Sequence, residues 1–253
     1  MKFLILLIFC SCSGLTPKTL SKNNKKIYSF YDVTGKYKLT RESIFLDNKI
    51  VTRTFLQSSQ ESNEKILEKS VTVSQIGTIK DKKNRTLAVR PFASEFDVWL
   101  EGKKYSSQMN LNGSTKSMQI DLDSPESKWK GRQNIKFPKG SHFCFFSQLA
   151  ECLYYSHTLE KSLKHRSDIF RFYVVWDNFP FVQEQISGVG DKLFSSASVR
   201  FESEERSALR FTIDVNGQTL IYQFSKSFEL VRMFWIANGI SILPYGEEIN
   251  EDD

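Results

Sequence analysis

Phe211-Thr212-Ile213-Asp214-Val215-Asn216-Gly217-Gln218-Thr219-Leu220-Ile221-Tyr222-Gln223-Phe224 is the stretch whose reading decides the fold. Phe211, Ile213 and Val215 alternate with Thr212 and Asp214, and Leu220, Tyr222 and Phe224 alternate on the far side of Asn216-Gly217. Alternation with a period of two places the rings and branched chains on one face of a strand and the polar residues on the other. Asn-Gly supplies the positive φ angles that a tight hairpin turn requires. The segment therefore predicts an antiparallel hairpin with one buried face and one wet face.

The same signals recur outward from it. Asp47-Asn48, Glu101-Gly102, Asn112-Gly113 and Asn238-Gly239 each sit between apolar or alternating stretches and predict further hairpins. From Ile27 onward Tyr28, Phe30, Val33, Tyr37, Leu39, Ile44 and Phe45 are spread through polar residues, as in strands with one wet face. A second hairpin is expected from Ile169 to Ile186, with the run Phe170 to Trp176 turning at Asp177-Asn178-Phe179-Pro180 and returning through Phe181 and Val182. Its first strand is apolar on both faces and needs a cover on both. Phe146, Leu149, Leu153, Tyr155 or Ser156, Leu159 and Leu163 recur at three and four residues, predicting a helix of about 15 to 20 residues to supply it. Glu61 to Glu68 is a candidate short helix. The expected class is mainly β with one or two helices: a strongly curved antiparallel sheet, or half-barrel, around a central apolar helix.

The start of the chain carries an address. Lys2 precedes the apolar run Phe3 to Phe9, which meets Cys10-Ser11-Cys12-Ser13-Gly14. A charged start, a short apolar core and small residues at its exit form a signal-peptide pattern, and the run is far below the roughly 20 residues that span a bilayer. Residues 1–11 are read as the signal and Cys12 as the lipid-anchor cysteine. Residues 12–26, with Lys18, Lys22, Lys25 and Lys26, form a basic tether, and residues 27–245 a single β-rich domain. Residues 246–253 form an acidic tail. The chain of 253 residues carries a formal charge of +6; removing the signal leaves +5, and setting aside the five acids of the tail leaves a body of about +10. Such a body favours anionic envelope surfaces. Nucleic acid is not an expected partner, because no recognition motif is present.

Catalytic signatures are absent from the sequence. There is no Gly-x-Ser-x-Gly elbow, and Gly188-Val189-Gly190 lacks the third glycine of a dinucleotide fingerprint. His157 and His165 are eight residues apart, too far for a paired-histidine metal grip on one helix. Asp121 and Asp123 share a strand face and are read as solvated strand-end charges. No enzyme activity, cofactor or metal is expected. Cys144 and Cys152 are a disulfide candidate in an oxidising compartment. On one continuous helix they would stand roughly 12 Å apart, beyond bridging distance. Either the helix starts after Phe146 and the bridge staples its entry, or both thiols are buried and free.

One charge constellation stands out. Lys128-Trp129-Lys130-Gly131-Arg132, continuing to Lys136, Phe137 and Lys139, mixes cations with aromatics and contains no acid. Lys128, Trp129, Lys130, Arg132 and Lys136 are candidate headgroup-rim residues, and Phe145, Phe146, Leu149, Leu153, Phe172 and Trp176 are candidate cavity residues.

A lipoprotein-like start, a basic tether, many hairpins and one apolar helix together resemble the half-barrel envelope proteins of the LolA and LolB type. The resemblance is one of layout, over residues 27–245, and no diagnostic motif carries residue roles across. It implies a lipid-anchored envelope protein holding an acyl-chain or glycolipid ligand in the concavity of its sheet. The alternative is a structural lipoprotein with a filled core that contacts another envelope component. Ser13 and Gly14 after Cys12 lack the retention aspartate, which resembles outer-membrane sorting, on either the periplasmic or the exterior face.

Overall fold

The first sheet is a meander of eight antiparallel strands in chain order: β1 (Lys25–Tyr31), β2 (Tyr37–Leu46), β3 (Lys49–Ser58), β4 (Ile66–Asp81), β5 (Asn84–Leu100), β6 (Lys103–Asn112), β7 (Ser117–Asp123) and β8 (Gly131–Lys136). The second sheet runs β9 (Phe143–Phe145), β10 (Phe170–Val175), β11 (Phe194–Glu205), β12 (Ala208–Val215), β13 (Gln218–Ser225), β14 (Leu230–Trp235) and β15 (Ile240–Ile242), again in sequence order. It curls strongly into a half-barrel. The computed structural model describes residues 25–31, 37–58, 66–81, 84–139, 142–181, 192–205, 207–236 and 240–242. The predicted signal, Cys12, most of the tether, Asn238-Gly239 and the acidic tail lie outside the described residues.

Among the described residues, only β9 and β10 pair in parallel. Parallel neighbours need a crossover, and it is made by a 3-10 turn (Phe146–Gln148), α1 (Leu149–Tyr155) and α2 (Thr158–Lys164). The single helix of about 15 to 20 residues is thus replaced by two helices of seven residues each. The break is at His157, which takes a left-handed φ of 57°, while the Ser156 hydroxyl donates to the Leu153 carbonyl and so occupies a helix acceptor. The first residues of the crossover bridge the two sheets: Ser147, Gln148 and Glu151 bond to strands of the first sheet, and Phe146 packs on Trp176, just after β10, and on Trp235 of β14. The disulfide Cys144–Cys152, with Cα atoms 5.8 Å apart, ties β9 to α1. The bridge is possible because α1 begins at Leu149, after the chain has turned.

The deciding hairpin forms as its alternation predicts. Val215 pairs with Gln218 across Asn216 (φ 52°) and Gly217 (φ 83°), and Phe211, Ile213, Val215, Leu220, Tyr222 and Phe224 are all buried. The hairpin expected from Ile169 to Ile186 does not form over its described part, and residues 182–186 lie outside the described residues. β10 pairs instead with β11, Val175 opposite Phe194. The chain from Asp177 to Phe181 turns inward rather than returning as a strand, because the Asp177 carboxylate accepts from Ser147 N (3.1 Å) and Thr72 Oγ1 (3.3 Å) and is drawn to the first sheet. Of the short helix expected at Glu61 to Glu68, residues 66–68 are strand, and residues 61–65 lie outside the described residues.

Candidate functional site

The inner face of the first sheet is polar on one half and apolar on the other. One cross-strand row reads Arg41, Thr54, Ser70, Phe96, Ser107, Leu122, and the next reads Ser43, Thr52, Thr72, Ser94, Met109, Ile120. On β4 the usual sense of an amphipathic strand is reversed: Ser70, Thr72 and Ser74 are buried while Val71 and Val73 are only half-buried. Buried hydroxyls must find partners, and the crossover brings them. Gln148 Nε2 donates to Ile50 O (3.1 Å), Thr52 Oγ1 (3.1 Å) and Thr72 O (2.9 Å), and its Oε1 accepts from Ser74. Arg41 donates to Ser147 O through Nε (3.0 Å) and Nη2 (2.7 Å) and pairs with Glu151 Oε2 at 2.5 Å, while Ser43 donates to Glu151 Oε1 at 2.9 Å. Burial alone would push the Glu151 carboxyl up; the Arg41 charge and these hydrogen bonds outweigh it and hold the group below its ordinary range.

A cleft with a cavity of about 160 Å³ opens beside this junction. Leu39, Phe96, Phe146, Leu149, Leu230 and Met233 supply its apolar walls. Arg41, Thr54, Glu68, Ser70, Asp177 and Tyr222 supply its polar ones. Three of these groups titrate abnormally, each with burial as the largest cause. Asp177 is pushed up, partly offset by hydrogen bonds from Ser147 and Thr72. Tyr222 is pushed up, with Arg41 opposing. Glu68 is raised from 4.5 to about 7 by burial alone. Thr54 and Ser70 bond to each other, and Glu68 has no hydrogen-bond or ion-pair partner among the described residues.

The candidate cavity residues divide. Phe146 and Leu149 line the cleft, whereas Phe145, Leu153, Phe172 and Trp176 are core filling, at 4% exposure or less. The candidate rim lies elsewhere, on the β7–β8 edge of the first sheet, and borders none of the cleft. Acids that the linear run does not contain stand beside its cations: Arg132 bonds Asp121 at 2.5 Å, Lys130 lies 3.8 Å from Asp123, and Lys128 lies 3.8 Å from Glu126. Lys128 also covers the Trp129 ring, which packs edge-on against Tyr105 and Phe181. Lys136 sits on the edge strand opposite Ser117. Asp121 and Asp123 thus serve as counter-charges on the strand, and the Arg132 and Gln119 hydrogen bonds hold Asp121 low.

A ring nitrogen of His142 and the sulfurs of Cys144 and Cys152 lie within 4.8 Å of one another, but the sulfurs are bonded to each other. His142 is lowered to about 4, by burial first and by Lys161 second. Sequence reasoning missed Arg41, Glu68, Gln148, Glu151 and Asp177, which come from four separate stretches of the chain and share no local pattern. Comparison with known protein families, with curated proteins and with solved structures finds no match.

Proposed function

We propose that the protein is a lipid-anchored envelope protein that binds a small, largely apolar ligand in the cleft between its two sheets. The observation that carries this reading is Glu68, a half-buried carboxyl in an apolar-walled cleft with no partner of its own among the described residues. A fold maintains such a group at a cost in stability, and perturbed groups in clefts mark functional sites. Cleft size narrows the ligand expected from the half-barrel resemblance. A cavity of about 160 Å³ compares with the ~150 Å³ that encloses benzene, and with roughly 300 Å³ or more for drug-sized ligands. It suits a ring or the end of a chain, not a whole acyl tail. Cys12 behind a short apolar run supports the anchor, and the Cys144–Cys152 bridge suits an oxidising compartment outside the cytoplasm.

The test is native mass spectrometry of the full chain, purified gently from a bacterial envelope, paired with thermal-shift screening of compounds of ring size. A stoichiometric adduct that is lost in Leu39→Trp, which narrows the cleft, is the expected result. The second reading, an interaction protein with a filled core, draws on Phe145, Trp176 and Phe211, large side chains buried to 1% exposure or less. A clean apo mass together with no shift from any compound favours it, with exposed Ile169 and Ile236 as starting points for a partner search.

A further inference from the structure

We infer that the ligand of the cleft carries a positively charged amino group, and that the Glu68 carboxylate is its counter-charge. The inference rests on the small-ligand reading above and names the chemistry of the ligand's head. Each of the other charged groups at the junction already has its partners. The Arg41 guanidinium is held by Glu151 and the Ser147 carbonyl. The Asp177 carboxylate accepts from Ser147 N and Thr72 Oγ1. Behind Arg41, Glu151 also accepts from Ser43. Lys69, next to Glu68 in the chain, points to the opposite face of the sheet, where its ammonium pairs with Asp97 at 3.1 Å. Among the described residues that line the cleft, Glu68 is the carboxyl left without a hydrogen-bond or ion-pair partner.

Three ligand classes meet this residue differently. An anion would face the Glu68 carboxylate, with Nε and Nη2 of the nearby Arg41 already bonded to Ser147 and Glu151. A neutral apolar molecule would strip the remaining water from the carboxyl and return nothing, deepening the cost of its burial. An ammonium supplies both donors and charge, and a charge-assisted bond in a poorly hydrated site is among the stronger polar contacts available. The walls agree with this choice. Phe96 and Phe146 line the same cleft, and aromatic faces tolerate and attract cations.

Binding of an ammonium requires the carboxylate form, so it releases a proton wherever Glu68 is protonated in the free protein. Glu68 sits at about 7 without ligand, so affinity rises with pH up to about neutrality and then levels until the amine itself loses its proton. The other titratable groups around the cleft are Arg41 on β2, Asp177 after β10 and Tyr222 on β13, with Glu151 on α1 behind Arg41. Asp177, also raised, acts in the same direction as Glu68.

Calorimetric titration of the full chain with benzylamine, benzyl alcohol and benzoate tests the inference, because the three share a ring and differ in the head. Benzylamine is expected to bind about tenfold or more tighter than the alcohol, with benzoate weakest. Between pH 5 and 6 its affinity should rise by nearly tenfold, as linkage to one proton requires. Glu68→Gln, checked by circular dichroism to be folded, should lose both the amine preference and the pH slope. The inference is overturned if benzoate or the alcohol binds as tightly as the amine, or if folded Glu68→Gln keeps the preference. Binding of the alcohol without any preference for the amine overturns the charged head and leaves the cleft reading standing; failure of all three to bind overturns both.

Discussion

Glu68 and Glu151 are the same side chain in two environments, and their contrast yields the most direct tests. Glu151 is bonded by Arg41 and Ser43 and titrates below its ordinary range, so its contribution to stability is present above its unfolded value and is lost as pH falls through the folded one. Glu68 behaves in the opposite sense. Its folded value of about 7 stands above the ordinary 4.5, so folding is favoured at acid pH and stability declines as pH rises between these values. Glu68→Gln removes that decline; it should stabilise the protein at pH 8 by about 1–3 kcal/mol and change little at pH 4, measured by urea unfolding at both. Arg41→Met leaves the Glu151 carboxylate buried without its ion partner and should cost about 3–5 kcal/mol, most of which Arg41→Met combined with Glu151→Leu recovers. Denaturation midpoints of the three variants decide it. None of these residues was legible in the sequence: Arg41 and Glu68 are polar residues within strands, which read as surface until the register is known, and Glu151 is a charge on a short helix whose strand partners lie about 110 positions away.

The elements show which signals survive from sequence to structure. Hairpin β12–β13 was legible because two independent signals agree there, a clean period of two and a turn whose residues accept positive φ. On β4 the period is equally clean but the sense is inverted, since alternation marks two faces without saying which one meets the core. The helical period after Phe146 was real, yet it continued past Ser156-His157-Thr158, where the Ser156 hydroxyl takes the Leu153 carbonyl and bonds the Thr158 hydroxyl, and α1 stops. The partner of β10 lies across a long connection, which no local pattern encodes. The disulfide had two open readings, and the early turn before α1 decided between them. It closes a short loop, with a sequence separation of eight. On the chain-entropy account its loss in Cys144→Ser/Cys152→Ser should cost about 2–3 kcal/mol, read as a lower melting temperature than that of the oxidised parent.

Across the whole molecule the mainly β class, the half-barrel and two residues of the cleft, Phe146 and Leu149, were legible. The division into two meanders docked on a shared crossover was not. Neither sheet closes its inner face without residues 146–151 and 177, so the two should unfold together. Scanning calorimetry is expected to show a single transition whose calorimetric and van't Hoff enthalpies agree, despite a size at which intermediates become common. Two resolved transitions would mean that the junction contributes little.

The serine and threonine strip on β2 to β5 also bears on how the chain survives its own synthesis. Every pairing of the first sheet is between neighbours in sequence and needs nothing beyond Lys136, whereas the groups that satisfy the strip, Gln148, Glu151 and Asp177, come later. A chain emerging from its N-terminus can therefore finish eight strands while half of the face awaiting a partner, on β2 to β5, is still wetted by hydroxyls. A half-made product with that surface has less tendency to adhere to its neighbours than one presenting bare valines and phenylalanines. The strongly apolar face around Phe211, Ile213 and Phe224 is made last, after the first sheet and the crossover have been synthesised.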